Sequence, residues 1–239
     1  MSGHSKWSTI KRKKGAADAK RGIIFTRLSK DITFAAKQGG SNVEMNPSLR
    51  LAIKKAKSSN MPSSNIEKAI KKGTGDLPGV KYEDCIYEGY GPYSVAILIE
   101  VMTDNKNRTL PEIRNIITKN GGNLGESGCV NWMFDKKGII TIQIENTSED
   151  RLMELLESLK IEDIIFNEEC YEIITSPEDF GDVSIVFEEK NIPFDGEISL
   201  TPQNLINLST KEARQVIILL ELIEAHEDVQ KVHTNFEIN

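Results

Sequence analysis

The sequence predicts an α+β protein: a helical N-terminal domain followed by two ferredoxin-like α+β domains, the last inserted in the second. Three observations lead there. Apolar residues recur at three- and four-residue steps as far as about residue 72. Strand-like runs alternate with helical stretches after Tyr82. Residues 138–200 follow the order strand, helix, strand, strand, helix, strand, which is that of the split βαβ unit.

In the first helix, Ile24, Phe25, Leu28, Ile32 and Ala35 share one face until Gly39–Gly40 ends the pattern. A second helix begins near Pro47, a residue suited to a first turn, and carries Leu49, Ala52, Ile53 and Ala56. Ser58 to Pro62 breaks it. A third starts at Ser64, with Glu67 at the capping-box spacing, and ends at Gly73.

Beyond a linker at Gly73–Gly79, Tyr93–Val101 reads as an apolar strand, and Thr109–Glu112 opens a helix with another capping box, closed by Gly121–Gly122. A further strand is expected around Cys129–Phe134. In the 138–200 unit the strands are Ile139–Ile144, Ile161–Phe166, Tyr171–Thr175 and Phe194–Leu200. Leu152, Leu155, Leu156 and Leu159 stripe its first helix, and Ser176–Asp179 caps its second. The chain closes with a helix boxed by Ser209 and Glu212 and a strand, Lys231–Ile238. The pieces flanking 138–200 each leave an apolar face in need of cover, so they form one domain. The expected organisation is 1–80, then 81–137 plus 201–239, with 138–200 inserted.

The net charge of −6 over 239 residues conceals a strong asymmetry. Residues 1–80 hold 17 Lys/Arg against 5 Asp/Glu, whereas 145–200 hold 3 against 17. Such a division points to a polyanion or acidic-surface partner for the first part. No apolar run approaches a membrane span, no secretory signal opens the chain, and lysine bias with Asp18 argues against a transit peptide, so a cytoplasmic protein is expected. Cys85, Cys129 and Cys170 lie far apart and signal neither a disulfide framework nor a zinc site.

The candidate nucleic-acid contacts start with Lys6, Lys11, Arg12, Lys13 and Lys14, five bases without an acid, and Trp7 among them. Lys20, Arg21 and Arg27 continue the series. Cations release counterions from phosphates, and an exposed aromatic stacks on an unpaired base. Arg50, Lys54 and Lys57 fall on one helical face and extend the track; Arg108 stands beside an expected helix N-terminus, which favours anions. Alternatively these are solvated surface charges.

Nothing indicates catalysis. His4, His226 and His233 form no metal-binding pattern, and no nucleophile elbow occurs. The glycines of Gly122-x-x-Gly125-x-x-Gly128 follow a helix and precede a strand, the reverse of a phosphate loop, and read as turns. No cofactor, metal or small-molecule substrate is expected.

Several strings are together far more specific than any one motif: Gly3–Trp7, Asp18–Gly22, Ile24–Thr26, Asn46-Pro47, Leu51–Ile53, Asn60–Pro62 and Asn65–Glu67. Ile70–Gly73, Tyr87–Pro92, Thr103–Asn105, Asn107–Thr109 and Gly121–Gly125 belong with them. They resemble the YebC/PmpR family. Tyr93-Ser94 departs from it, where the family usually has small residues, often glycine. The resemblance implies a helical domain and two α+β domains, and a regulator that binds DNA in transcription or acts in translation at the ribosome. It points to Lys6, Trp7, Lys11–Lys14, Lys20 and Arg21 as contacts, and the motif's start at residue 3 favours a member without a targeting extension. The basic start lacks a convincing reading helix, which favours ribosomal RNA over promoter DNA. The competing readings are a protein-interaction module using the acidic insert, and a nuclease or hydrolase.

Overall fold

The computed structural model describes residues 21–77 and 82–238, with side chains from Phe25 onward. Among the described residues three helices come first: α1 (Arg21–Gly39), α2 (Pro47–Ser58) and α3 (Ser63–Thr74). Leu28, Ile32, Ala35 and Ala36 of α1 meet Leu49 and Ala56 of α2 and Ile66 and Ala69 of α3 in one buried cluster. Asn46 ties the first two helices together. Its side-chain amide donates to the carbonyls of Ala35 and Gly40, and its oxygen accepts from the Leu49 N–H, capping α2. Helices α1 and α3 approach so closely that a Cβ at Gly73 would lie 2.3 Å from the Thr33 carbonyl, so only glycine fits there. The expected Ser64 capping box is absent: α3 begins one residue earlier, after Pro62, without a side-chain cap.

The next sheet joins β1 (Glu83–Tyr90), β2 (Ala96–Thr103), β3 (Asn123–Leu124) and β9 (Val229–Thr234) in the order β3-β1-β2-β9, all antiparallel. Val95, Ile97, Ile99 and Val101 face α4 (Lys106–Lys119) and α7 (Thr210–Glu224), which contribute Ile113, Ile117, Val216, Leu219 and Leu220. The alternate residues Ala96 and Leu98 are buried on the opposite face with Val130 and Phe134. That double burial explains why this strand reads as a continuous apolar run. A short parallel pair, β8 (Ile206–Leu208) and β10 (Phe236–Ile238), completes the unit.

The third sheet has the order β5-β6-β4-β7, from β4 (Phe134–Gln143), β5 (Asp163–Phe166), β6 (Cys170–Thr175) and β7 (Asp195–Pro202). With α5 (Glu149–Leu156) and α6 (Phe180–Glu189) it has the βαββαβ connectivity that residues 138–200 predict. Ile140, Ile142, Leu152, Ile173, Val183 and Phe187 fill its core. Pairing runs from Phe134↔Pro202 to Thr141↔Asp195, so β4 starts five residues before the expected Ile139.

Other sequence expectations need correction. The expected strand at Cys129–Phe134 is a turn and a 3-10 helix, Asn131–Met133, because Glu88 accepts the N–H groups of Gly128, Val130 and Asn131 and coils the segment around its carboxylate. Helix α4 starts at Lys106, capped by Asn105, so Thr109 and Pro111 lie inside it and no Thr109 box forms. The strand expected to begin at Tyr93 begins at Ala96; Tyr93 and Ser94 occupy a 3-10 turn, both with φ of 61°. The single terminal strand is two strands in different sheets.

Candidate nucleic-acid interface

Lys6, Trp7, Lys11, Arg12, Lys13, Lys14 and Lys20, with the side chain of Arg21, lie outside the described residues. The structure therefore speaks to Arg27, Lys54, Lys57 and Arg108. Arg27 projects from α1 into solvent, and Lys54 and Lys57 are exposed on α2.

Charge divides α2 between two duties. Arg50 Nε lies 3.2 Å from Glu188 of α6, and its Nη1 donates to the carbonyls of Val43 and Glu44. Lys55 reaches Asp195 of β7 at 3.4 Å, and Leu51 between them packs on the core of the third sheet. On α1, Lys37 lies 2.7 Å from Asp84 of β1, and Lys30 donates to the carbonyls of Glu224 and His226. Part of the basic helical surface thus faces acidic residues of the two sheet units. Arg27, Lys54 and Lys57 have no ion pair among the described residues, nor do Lys68 and Lys71 on α3. Lys72 lies 4.6 Å from the Tyr82 ring centre, and burial lowers its pKa against the pull of Asp228, Glu227 and Asp104.

Arg108 belongs to a different arrangement. Its Nη2 sits 2.8 Å from Asp228 and 3.1 Å from Asp104. The Asp228 carboxylate also accepts from the hydroxyls of Thr109 at 2.6 Å and Thr103 at 3.0 Å. Burial raises the cost of the Asp228 charge, but these donors outweigh it and hold the carboxyl below the usual range. The structure brings Arg108 to a carboxylate that fastens α4 to β2 and the turn before β9, apart from the exposed lysines of α2.

Between α1, α2, β7 and β9 lies a cleft of about 370 Å³. Arg27 and Lys54 line it, together with every residue from Phe194 to Pro202 and from Gln230 to Thr234. Side chains alternate across a strand, so a wall contributed by every successive residue is a strand edge. Both β7 and β9 are edge strands of their sheets. Lys231 crosses between them: its ammonium lies 2.9 Å from Glu197, donates to the Ile198 carbonyl, and sits 4.4 Å from the Phe34 ring centre of α1. Burial opposes its charge, yet Glu197, with Asp31 and Glu100, raises its pKa above that of ordinary lysine. Behind it, His233 Nε2 and Glu100 Oε1 are 2.7 Å apart.

The register of β2 against β9 slips between Glu100↔Lys231 and Val101↔Val229, leaving Gln230 as the extra residue of a bulge. Bulges re-aim side chains. Gln230 is 9% exposed; its amide nitrogen is 3.4 Å from the Asp228 carbonyl and its oxygen is buried without a hydrogen-bond partner. An orphaned buried acceptor costs about 1–3 kcal/mol. Sequence reasoning missed Lys231, His233 and Gln230 as site residues, because nothing local in the mixed strand Val229–Thr234 marks a bulge or a junction.

Sequence comparison adds the lineage. Residues 5–76 match the TACO1/YebC protein N-terminal domain, and residues 82–236 match the TACO1/YebC second and third domain. The chain belongs to the TACO1/YebC family. A probable transcriptional regulatory protein of Desulforapulum autotrophicum is 53% identical over 239 residues, covering 100% of this chain and 97% of the relative. One of Geobacter sulfurreducens is 52% identical over 240 residues, with 100% and 97% covered. The crystal structure of a conserved hypothetical protein from Aquifex aeolicus superposes with a TM-score of 0.79 at 43% identity, covering 93% of this chain and 92% of that one. The TACO1/YebC assignment agrees with the resemblance carried by the sequence motifs and with the helical unit followed by sheet units. Among the described residues, no helix is long and apolar enough to cross a membrane, and no cluster of three or more His, Cys, Asp or Glu side chains could hold a metal ion.

Proposed function

We propose that this TACO1/YebC protein is a non-catalytic, cytoplasmic nucleic-acid-binding regulator of gene expression, and that ribosomal RNA is its target. The observation that carries this reading is the sorting of charge. Lys37, Arg50 and Lys55 meet acids of the sheet units, while Arg27, Lys54 and Lys57 on the same helices have no ion pair among the described residues. They extend the basic run of Lys6, Lys11–Lys14, Lys20 and Arg21, with Trp7 available to stack on an unpaired base. Arg108, the remaining candidate contact, is held by Asp228. Division of the chain into residues 1–80, 81–137 plus 201–239, and an acidic insert at 138–200 suits the same reading. The insert's net negative charge turns it from phosphates toward the basic proteins that accompany RNA in a ribosome.

The test is salt dependence. About five phosphate contacts give a slope near −3.5 for log affinity against log salt on single strands. Replacing Lys11, Arg12, Lys13 and Lys14 by serine should flatten that slope and abolish cosedimentation with ribosomes. An unchanged slope would remove the basic segment as the binding surface. The relatives' names favour a second reading, a DNA-binding transcriptional regulator. Tight, sequence-selective duplex binding at physiological salt, without ribosome association, would establish that reading in place of the first.

A further inference from the structure

We infer that the outer face of the third sheet is the docking surface for the chain's own basic segment, residues 1–20, which leaves it for phosphates when RNA binds. The nucleic-acid reading above supplies only the competitor; the docking itself stands on the sheet. Strand register defines the face. Ile140, Ile142 and Ile173 point to α5 and α6 and fill the core of the insert. The alternate residues point the other way, so Ile165 of β5, Glu172 of β6, Thr141 of β4 and Asp195 of β7 stand side by side in one row. Asp163 and Glu197 stand at the two ends of the next row. Thr141, Asp195 and Glu197 also line the cleft beside α1 and α2, which therefore opens onto this face.

Around its rim the sheet already takes lysines. Lys55 of α2 meets Asp195 at 3.4 Å, Lys231 of β9 meets Glu197 at 2.9 Å, and Lys137 of β4 meets Glu162, just before β5, at 2.6 Å. Glu172 stands nearer the centre and is 2% exposed. On a bare sheet face it would meet water; a carboxylate so deeply buried keeps its charge beside a cation or several donors. The two helices of the insert pack on the opposite face, so its cover comes from elsewhere in the chain. Helix α2 and strand β9 meet the face at β7, and β7 lies two strands from β6, about 10 Å. The segment before α1 has the matching charge and the reach. Residues 1–20 carry six Lys/Arg against one Asp. Arg27, Asp31 and Phe34 line the cleft, so α1 runs along its wall, and the helix starts six residues before Arg27, about 9 Å away. From there an extended chain of that length spans up to roughly 66 Å.

Trypsin cleavage of the full chain after Lys11–Lys14, read by mass spectrometry, reports docking with no nucleic acid present. At low ionic strength, where charges are least screened, cleavage of the wild type should be slow. Glu172→Gln keeps the shape of the side chain and removes its charge. A segment docked about nine-tenths of the time is free for a tenth of it, so releasing it should speed cleavage about tenfold and tighten single-stranded RNA binding about as much. Cleavage at Lys54 and Lys57 of α2 controls for general unfolding and should not change. Asp163→Lys, a charge reversal at an exposed position of the same face, repeats the measurement should Glu172→Gln fail to fold. High salt should erase the difference between wild type and variant. Equal cleavage of the segment in wild type and folded variants overturns the inference. If RNA binding with its salt slope persists in that case, the regulatory reading stands without the docking surface. If the variants speed cleavage and none of the proteins binds RNA, the docking surface stands and the nucleic-acid reading fails.

Discussion

The Lys231 ammonium lies 2.9 Å from the Glu197 carboxylate across two sheets whose edge strands face one another, β9 in one and β7 in the other. A lysine pointing inward from an edge strand also discourages strand-to-strand pairing with other chains. Here the same ammonium donates to the Ile198 carbonyl and lies over Phe34, so one side chain touches all three parts of the fold.

Lys231→Met keeps the apolar stem and deletes the charge. Loss of a charged hydrogen bond of this kind costs about 1–3 kcal/mol, and urea denaturation should report a fall in that range. Because the folded pKa lies above lysine's unfolded value, the ammonium's contribution is complete at neutral pH and is lost only as pH rises through the folded value. Hydrogen exchange should quicken along Gly196–Ile198 in the variant. Unchanged exchange there would mean that the two edges are held together by other contacts.

Tyr93 and Ser94 each have a φ of 61°, a region costly to residues with a Cβ. Ser94→Gly should relieve about 1–2 kcal/mol of strain, partly offset by the freer unfolded chain of glycine, for a net gain of about 0.5–1 kcal/mol. Ser94→Ala retains the Cβ and should bring no comparable gain. The comparison needs only melting temperatures of three proteins. Equal shifts for both variants would refute strain as the cause.

Burial works against the Glu88 charge, but three backbone N–H groups, those of Gly128, Val130 and Asn131, bring its pKa below the ordinary value. A depressed carboxylate contributes stability above its unfolded pKa and loses it as pH falls through the folded one. Glu88→Gln offers an N–H₂ where the site needs an acceptor, and should cost about 1–3 kcal/mol at pH 7. The gap between wild type and variant should close as pH drops below about 4, the unfolded glutamate value. Denaturation curves at pH 7, 5 and 3.5 measure it; a constant gap would contradict the assigned role.

Local signals in the sequence were enough for much of the fold. The spacing of Leu28, Ile32 and Ala35 marks the buried face of α1, and Ser209 with Glu212 forms the capping box they suggest. The strand and helix order of residues 138–200 matches β4 to β7, because each of those elements carries its own periodicity and turn residues. The capping reading failed at Thr109, where the hydroxyl turned inward to Asp228, a partner 119 residues away. The strand reading failed at Cys129–Phe134, whose backbone is organised by Glu88 some 40 residues earlier.

By itself, then, the sequence determined that the bases lie at one end, that three helices precede the sheets, and that this end suits a polyanion. Only the tertiary structure decided which of those bases remain available. Arg50, Lys55 and Lys54 look alike in a helical projection, yet the first two meet Glu188 and Asp195, more than 130 residues away, and Lys54 does not. The bulge at Gln230 was likewise decided there, by the register of β9 against β2. Periodicity and capping are local and can be read along the chain, whereas charge pairing and strand register depend on which distant residues folding brings within a few ångströms.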